Sequence, residues 1–237
     1  MYHDRVILGG AGYIGTEVTK RFLEMGLTVK VIDNLWFRNN LPEHPNLTVE
    51  DRDVLDTKPE DLNCYSVLFL AGLSNDPMAD YSPRLNYIHN TAAPIHCAKM
   101  AGRQVNNFIF ASTCSIYQNP CTSNYAESKK YAEYGLTHLR DTLQITKLYM
   151  ARKGTVYGIS DRMRTDLVVN TLTLHAEKTN KVSLHNPLVD RPLLDIKHAV
   201  DWYVNKSFGL EDETPGYWED VVSGNVNIAT LGRMVQD

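Results

Sequence analysis

Three apolar residues in a row, Val6-Ile7-Leu8, run into Gly9-Gly-Ala-Gly12-Tyr-Ile-Gly15 near the start of the chain. A short unbroken apolar run closed by glycine predicts a strand buried on both faces, as parallel strands are. From Thr16 to Met25 the apolar positions take helical spacing, and Thr28-Val-Lys-Val-Ile-Asp33 predicts a second strand. Residues 34–46 are rich in Asn, Pro and Arg and read as a loop. Further strands are predicted at 47–50, 66–70 and 108–111. A helix over 84–100 has Ile88, Ala92, Ile95, Ala98 and Met100 as its apolar positions, and another runs from Tyr125 to about Arg140. The alternation of strands and helices predicts an α/β fold, a doubly wound parallel sheet with right-handed crossovers.

In such a sheet ligands bind past the carboxyl ends of the strands. Gly9–Gly15, Asp33, Asp53, Ala71-Gly72-Leu73 and 112–117 all fall at that edge. A strand, a glycine turn and a helix in that order make an anion site. The helix N-terminus offers unpaired N–H groups and positive dipole charge, and missing Cβ atoms let a pyrophosphate approach. Asp33, ending the second strand about 20 residues on, is placed to accept hydrogen bonds from a ribose diol. Asp53, followed by Val54, would hold an adenine amino group against an apolar wall or stand as a solvated loop carboxylate; the residues alone leave both open. Small residues at 71–73 allow a flat cofactor to lie against the backbone.

Tyr125-Ala-Glu-Ser-Lys129 places a phenol and an ammonium on one helix face. A phenol is a poor base at neutral pH, with a reference pKa of about 10. A neighbouring ammonium and a cationic nicotinamide ring would favour the phenolate. It could then take a proton from a hydroxyl as hydride leaves the same carbon, with the Thr113 hydroxyl holding the same oxygen.

Composition narrows the partners. The 237 residues are 43% hydrophobic and 22% charged, enough for one large domain or one plus a small partial second. The net charge of −4, without a Lys/Arg cluster, argues against a nucleic-acid partner. Cys64, Cys97, Cys114 and Cys121 form no C-x-x-C pair, and the eight histidines show no metal-ligand spacing, so no metal is expected. Reduced thiols, no secretory segment ahead of the first strand and no apolar run long enough for a bilayer lead to the expectation of a cytoplasmic protein without a membrane partner.

Taken together, Gly9-x-x-Gly12-x-x-Gly15, Asp33-Asn34-Leu35, Asp53-Val54, Ala71-Gly72-Leu73, Asn90, Ser112/Thr113 and Tyr125-x-x-x-Lys129 resemble the extended short-chain dehydrogenase/reductase family, within it the NAD-dependent nucleotide-sugar epimerases and dehydratases. The resemblance runs to about residue 202. It implies NAD as cofactor, a nucleotide-diphosphate sugar as substrate, and Thr113, Tyr125 and Lys129 as catalytic residues. It implies cofactor contacts from Gly9, Gly12, Tyr13, Ile14, Gly15, Asp33, Asn34, Asp53, Val54, Leu70, Ala71, Gly72, Asn90 and Ser112, besides Tyr125 and Lys129. Ser74, Thr113, Arg164, Asn170 and Arg191 are the implied substrate contacts. Gly154-Thr-Val-Tyr-Gly158 looks like the end of the sixth strand, and Arg162 through Asn170 like the start of a lid. Val182-Ser-Leu-His185 and Arg191-Pro-Leu-Leu-Asp195 look like the strand and arginine that clamp the diphosphate. The resemblance also implies a homodimer through helices 86–100 and 126–140, which Ile95, Tyr134, Leu136 and Leu139 would suit.

The expected division is a Rossmann domain over 1–158, with a small, shortened substrate-binding part over 159–237. Three departures from the family bear on activity. Cys114-Ser115 stands where 4,6-dehydratases carry Asp-Glu, so the acid for eliminating water is missing. Only eight positions lead from Tyr117 to Tyr125, where relatives have a longer loop. Gly224-Asn-Val-Asn-Ile-Ala229, a predicted strand, comes close to the end of the sequence, where relatives still have helices to come. Between Gly209 and Gly224, Glu211-Asp-Glu213 and Pro215-Gly216 read as an acidic surface loop, with Tyr217 and Trp218 as buried anchors. The leading reading is an epimerase. A ketosugar reductase, a dehydratase and a non-catalytic NAD-binding protein remain as alternatives.

Overall fold

A computed structural model of the chain describes residues 2–117, 123–142, 144–209 and 217–236. Cys121 and the acidic stretch 211–216 lie outside the described residues. Strand β1 (His3–Leu8) leads through the glycine turn into α1 (Tyr13–Glu24), followed by β2 (Val29–Asp33), β3 (Leu47–Asp51) and β4 (Cys64–Phe69). Helices α2 (Asp76–Tyr81), α3 (Pro83–Tyr87) and α4 (Ala93–Ala101) then precede β5 (Asn107–Thr113), α5 (Asn124–Asp141) and β6 (Lys147–Lys153). The remaining elements are β7 (Thr155–Tyr157), α6 (Val168–Thr179), β8 (Asp190–Asp195), α7 (Ile196–Ser207), β9 (Trp218–Val221), β10 (Gly224–Asn227) and α8 (Ile228–Gln236).

The large sheet has the order β3-β2-β1-β4-β5-β6-β9, every pairing parallel. Strand alternation divides its side chains between two cores. Val6, Leu8, Val67, Phe69, Phe108, Phe110, Leu148 and Met150 face α4 and α5 on one side. Ile7, Leu68, Ile109, Ala111, Tyr149 and Ala151 face α1 and α7 on the other. Burial on both faces is why these strands read as continuous apolar runs. A second sheet, β10-β8-β7, packs with α6 and α8 around Leu172, Leu193, Ile228 and Leu231. The two halves of the sequence interleave across the expected boundary at 158: β7 lies in the small sheet, whereas α7 and β9 belong to the large one.

Several expectations need correction. The sixth strand ends at Lys153, and 155–157 form the separate β7, because the backbone turns at Gly154 to run beside β8. Residues 182–185 are not a strand. At 224–229, the strand stops at Asn227 and Ile228 already opens α8. Trp218 is 45% exposed rather than a buried anchor. It begins β9, and its indole lies under the Arg152 guanidinium at 4.4 Å. Leu136 and Leu139, assigned to a dimer face, are buried against the sheet instead, while Tyr131 and Tyr134 are the large hydrophobic residues that α5 leaves exposed.

The order 3-2-1-4 puts the topological switch between β1 and β4, and the chain fits there only because side chains are absent. A Cβ on Gly9 (φ +86°) would stand 2.4 Å from the Ala71 nitrogen. One on Gly72 (φ +144°) would stand 2.1 Å from the Asn90 side-chain oxygen. Asn90 lies in a wide π turn at Ile88–Ala92 that precedes Pro94. Proline has no N–H for the Asn90 carbonyl four residues back and its ring crowds that carbonyl, which accounts for the local widening. The Asn90 amide donates to the Leu73 carbonyl at 2.9 Å and to the Asn86 side chain, and so ties α3 and α4 to the strand end. Gly72→Ala is therefore expected to cost about 2–4 kcal/mol from overpacking and backbone strain together. Gly224→Ala, with no atom within 4 Å of the new methyl, should stay within about 0.5 kcal/mol of wild type. Denaturant unfolding of both variants checks this, and equal stabilities would remove the packing argument.

Candidate active site

A cavity of about 900 Å³ lies at the carboxyl edge of the large sheet and reaches β8 of the small one. Its floor is the glycine turn. Gly12 caps α1 without a side chain to cover the first-turn N–H groups, and a Cβ there would meet only the Gly9 carbonyl oxygen, at 3.4 Å. Gly12, Tyr13, Ile14 and Gly15 line the cavity at the helix's positive end. A phosphate group fits this cradle, which a side chain would fill.

Asp33 lines the cavity at the end of β2. Its two carboxylate oxygens accept from Leu35 N and Ala11 N, each at 3.0 Å. Burial pushes its pKa up, and those two backbone bonds pull it back. The lone pairs left over remain for a ligand hydroxyl. Asn34, Asp53 and Val54 line the same end. Asp53 caps a short 3-10 turn by accepting from Leu55 N at 2.9 Å, and its other oxygen is 3.9 Å from His89 Nε2. His89 in turn meets the Trp36 ring edge-on at 6.2 Å. Neither His89 nor Trp36 was singled out from the sequence, because His89 is off the apolar positions of the helix predicted over 84–100 and Trp36 lies in a stretch without periodic pattern.

Leu70, Ala71 and Gly72 carry the cavity wall from this end to Thr113 and Tyr125. Tyr125 sits in the first turn of α5, which Ser123 caps by accepting from Ala126 N at 3.0 Å. The Thr113 hydroxyl donates to Ser115 Oγ and accepts from Ser115 N, each at 3.2 Å. Burial pushes Tyr125 up to about 12. The Arg164 charge and the Thr113 side chain oppose the shift, whereas the Asp76 carboxylate reinforces it. The cation that acts most on Tyr125 is thus Arg164, from the loop before α6, and not Lys129. The Lys129 ammonium lies over the Phe110 ring at 4.7 Å. Its own burial, then the charge of Lys153, hold it well below the ordinary lysine range, with Glu133 opposing.

Three expected substrate contacts form one linked group. Arg164 donates to Ser74 Oγ at 2.8 Å and is gripped through two nitrogens by Asp166. That grip holds the Asp166 carboxyl down to about 2. Asn170 donates to the Arg164 carbonyl at 2.8 Å and to the Tyr13 hydroxyl at 3.1 Å. Ser74, Arg164 and Arg191 line the cavity, whereas Asn170 stands behind it as a brace.

Two further residues expected to touch the cofactor do not line the cavity. Asn90 lies behind Gly72, with its amide oxygen buried and unpartnered. Ser112 turns to the other side of β5 and donates to Glu133, which also grips Arg152 at 2.7 and 3.1 Å. Cys114 donates to the Arg152 carbonyl at 3.1 Å, and burial pushes its thiol up to about 11. Lys153 lines the cavity next to Thr113 and was missed, since one lysine at a strand end carries no motif. Burial holds its ammonium down to about 8, with Cys114 opposing and Arg164 adding to the shift.

The glycine cradle, the Asp33 carboxylate facing the cavity and the flat Leu70–Gly72 wall fit a dinucleotide such as NAD. Comparison with known proteins agrees. The human (Homo sapiens) UDP-glucose 4-epimerase is 28% identical over 178 residues, which cover 62% of this chain and 50% of that protein. A Bacillus subtilis UDP-glucose 4-epimerase is 31% identical over 138 residues, covering 52% and 40%. The chain spans about half the length of the curated relatives it matches. Among solved structures, the NAD-dependent NDP-hexosamine 5,6-dehydratase TunA of tunicamycin biosynthesis has the same fold, with a TM-score of 0.84 and 23% identity, covering 99% of this chain and 80% of its own. The model of the NAD dependent epimerase/dehydratase family matches residues 5–204. The chain belongs to that family.

Proposed function

We propose that the protein is an NAD-dependent epimerase of a nucleotide-diphosphate sugar, with Tyr125 as the base. The observation that carries this reading is the meeting of Thr113 and Tyr125 in one cavity, where its flat wall joins the Arg164 group. NAD, when bound, would supply the acceptor and later the donor for a hydride at one sugar carbon. The Tyr125 phenolate would take the proton from the hydroxyl on that carbon and return it at the end of the cycle. Thr113 would hold the same oxygen. Gly12 and the first turn of α1 would bind the pyrophosphate, and Asp33 an adenosine ribose. Arg191, an exposed guanidinium on β8 at the cavity rim, has the planar fork that suits the substrate's diphosphate.

Elimination chemistry is disfavoured at Cys114 and Ser115. A thiol raised to about 11 and a hydroxyl offer no ready acid near neutral pH. The homodimer implied by the family resemblance would use the exposed Tyr87, Tyr131 and Tyr134 on α3 and α5. A Tyr131→Glu, Tyr134→Glu double variant should then sediment as a monomer; a wild-type monomer would exclude the dimer.

Two outcomes test the site. Tyr125→Phe should lower turnover of a nucleotide sugar by roughly a hundred- to ten-thousand-fold while leaving NAD binding within about twofold. Cofactor absorbance and calorimetry read the two effects separately, and unchanged turnover would end the assignment of Tyr125. Because the Arg164 charge favours the phenolate, Arg164→Gln should shift the Tyr125 titration to higher pH. The tyrosinate absorbance difference between each protein and its Tyr125→Phe counterpart measures it, and a shift to lower pH would contradict the electrostatics described here.

A further inference from the structure

Lys153 ends β6 level with Thr113 on β5. Its ammonium donates to the Ser112 carbonyl at 2.6 Å and faces the cavity beside the proposed reacting groups. One carbonyl leaves two of its three donors unspent. Besides burial, the groups that act on it are Cys114, which favours its charge, and Arg164, which disfavours it.

Carboxylates at this end of the cavity are committed elsewhere. Asp166 grips Arg164, and Glu133 grips Arg152. Asp220 accepts from the Tyr117 hydroxyl at 2.7 Å, and Asp76 accepts from Ser123 Oγ. Among the described residues none of them forms an ion pair with Lys153 or Lys129. The Lys153 ammonium therefore faces the cavity without an ion-pair partner of its own among the described residues. A desolvated ammonium is costly until an anion meets it.

We propose that this end of the cavity selects an acidic sugar, and that the ammonium of Lys153 pairs the sugar's carboxylate. The substrate class is then a nucleotide-diphosphate uronic acid. This rests on the nucleotide-sugar reading above and adds the specificity to it. Replacing the carboxylate by the neutral hydroxymethyl group of an ordinary hexose leaves the Lys153 ammonium without an anion, so the discrimination lies in one group of the ligand and one of the protein.

Calorimetric titration of the NAD-loaded protein with UDP, UDP-glucose and UDP-glucuronate tests the inference. UDP-glucuronate should bind at least about tenfold tighter than UDP-glucose, the scale of one charge-assisted hydrogen bond. Lys153→Met should erase that preference and leave UDP affinity unchanged, whereas Lys153→Arg should keep most of it. The wild-type comparison stands without either variant. Equal affinity of the wild type for the two sugars overturns the inference. So does a Lys153→Met variant that weakens UDP and both sugars alike, since the ammonium would then serve the diphosphate. If both sugars bind equally and one reduces the cofactor, only the uronic acid falls. If neither sugar binds the NAD-loaded protein, this inference and the nucleotide-sugar reading fall together.

Discussion

The close approach of two backbones at the switch point is the constraint on which the rest of the site depends. β1 and β4 are neighbours in the sheet, and the chain leaves both at the same edge, through Gly9 and through Ala71-Gly72. A methyl on Gly9 would enter the backbone of Ala71, and a methyl on Gly72 would enter the side chain of Asn90. Those absences give the cavity its flat wall. They also let Asn90 reach past Gly72 to the Leu73 carbonyl and fix the helices behind it. Asn90 thus acts on the site from behind the wall, by holding the backbone on which a cofactor would lie.

Charge is distributed over the cavity with the same economy. Near the glycine cradle, the positive helix end meets the Asp33 carboxylate, whose two backbone bonds favour the ionised form against burial. At the other end, burial disfavours the charged forms of Tyr125, Lys129 and Lys153 together, raising the phenol and lowering both ammonium groups. The protein alone therefore leaves its proposed base protonated near neutral pH. Arg164 partly opposes this, and the positive charge of a bound nicotinamide would act in the same direction. On the proposed reading, ionisation of Tyr125 would be coupled to cofactor occupancy and proton abstraction confined to the loaded state.

What was legible in the sequence was whatever repeats in a short window. Val6-Ile7-Leu8 before glycine, Asp33 at the next strand end and Tyr125 four positions before Lys129 are local patterns, and they located the large sheet and the cavity wall. What was not legible depends on contacts between distant residues. Trp218 to Val221 is too short and too polar to stand out, yet it pairs with β6 and extends the sheet. Leu136 and Leu139 share helical spacing with any apolar face, and periodicity cannot say whether that face meets the sheet or a second subunit. Ser112 and Thr113 are consecutive in a strand and must point to opposite sides. Only the tertiary structure assigns Thr113 to the cavity and Ser112 to Glu133.

The interleaving of the two sheets explains how a small second unit can still shape a reaction site. α7 follows β8 directly and returns the chain to the large sheet, where β9 pairs with β6 before β10 rejoins β8. The small sheet is consequently joined to the large one by the chain at β6–β7, at β8–α7 and at β9–β10. Arg191 on β8 and Arg164 before α6 are held over the cavity by this path, with Asn170 bonding the Arg164 loop to Tyr13 of α1. A first-turn residue of the cofactor helix is thus wired to the residue that most lowers the pKa of Tyr125. Two hydrogen bonds of Asn170 tie the first turn of α1 to the loop that carries Arg164. The pyrophosphate end and the reacting end of the cavity are in this way one connected structure.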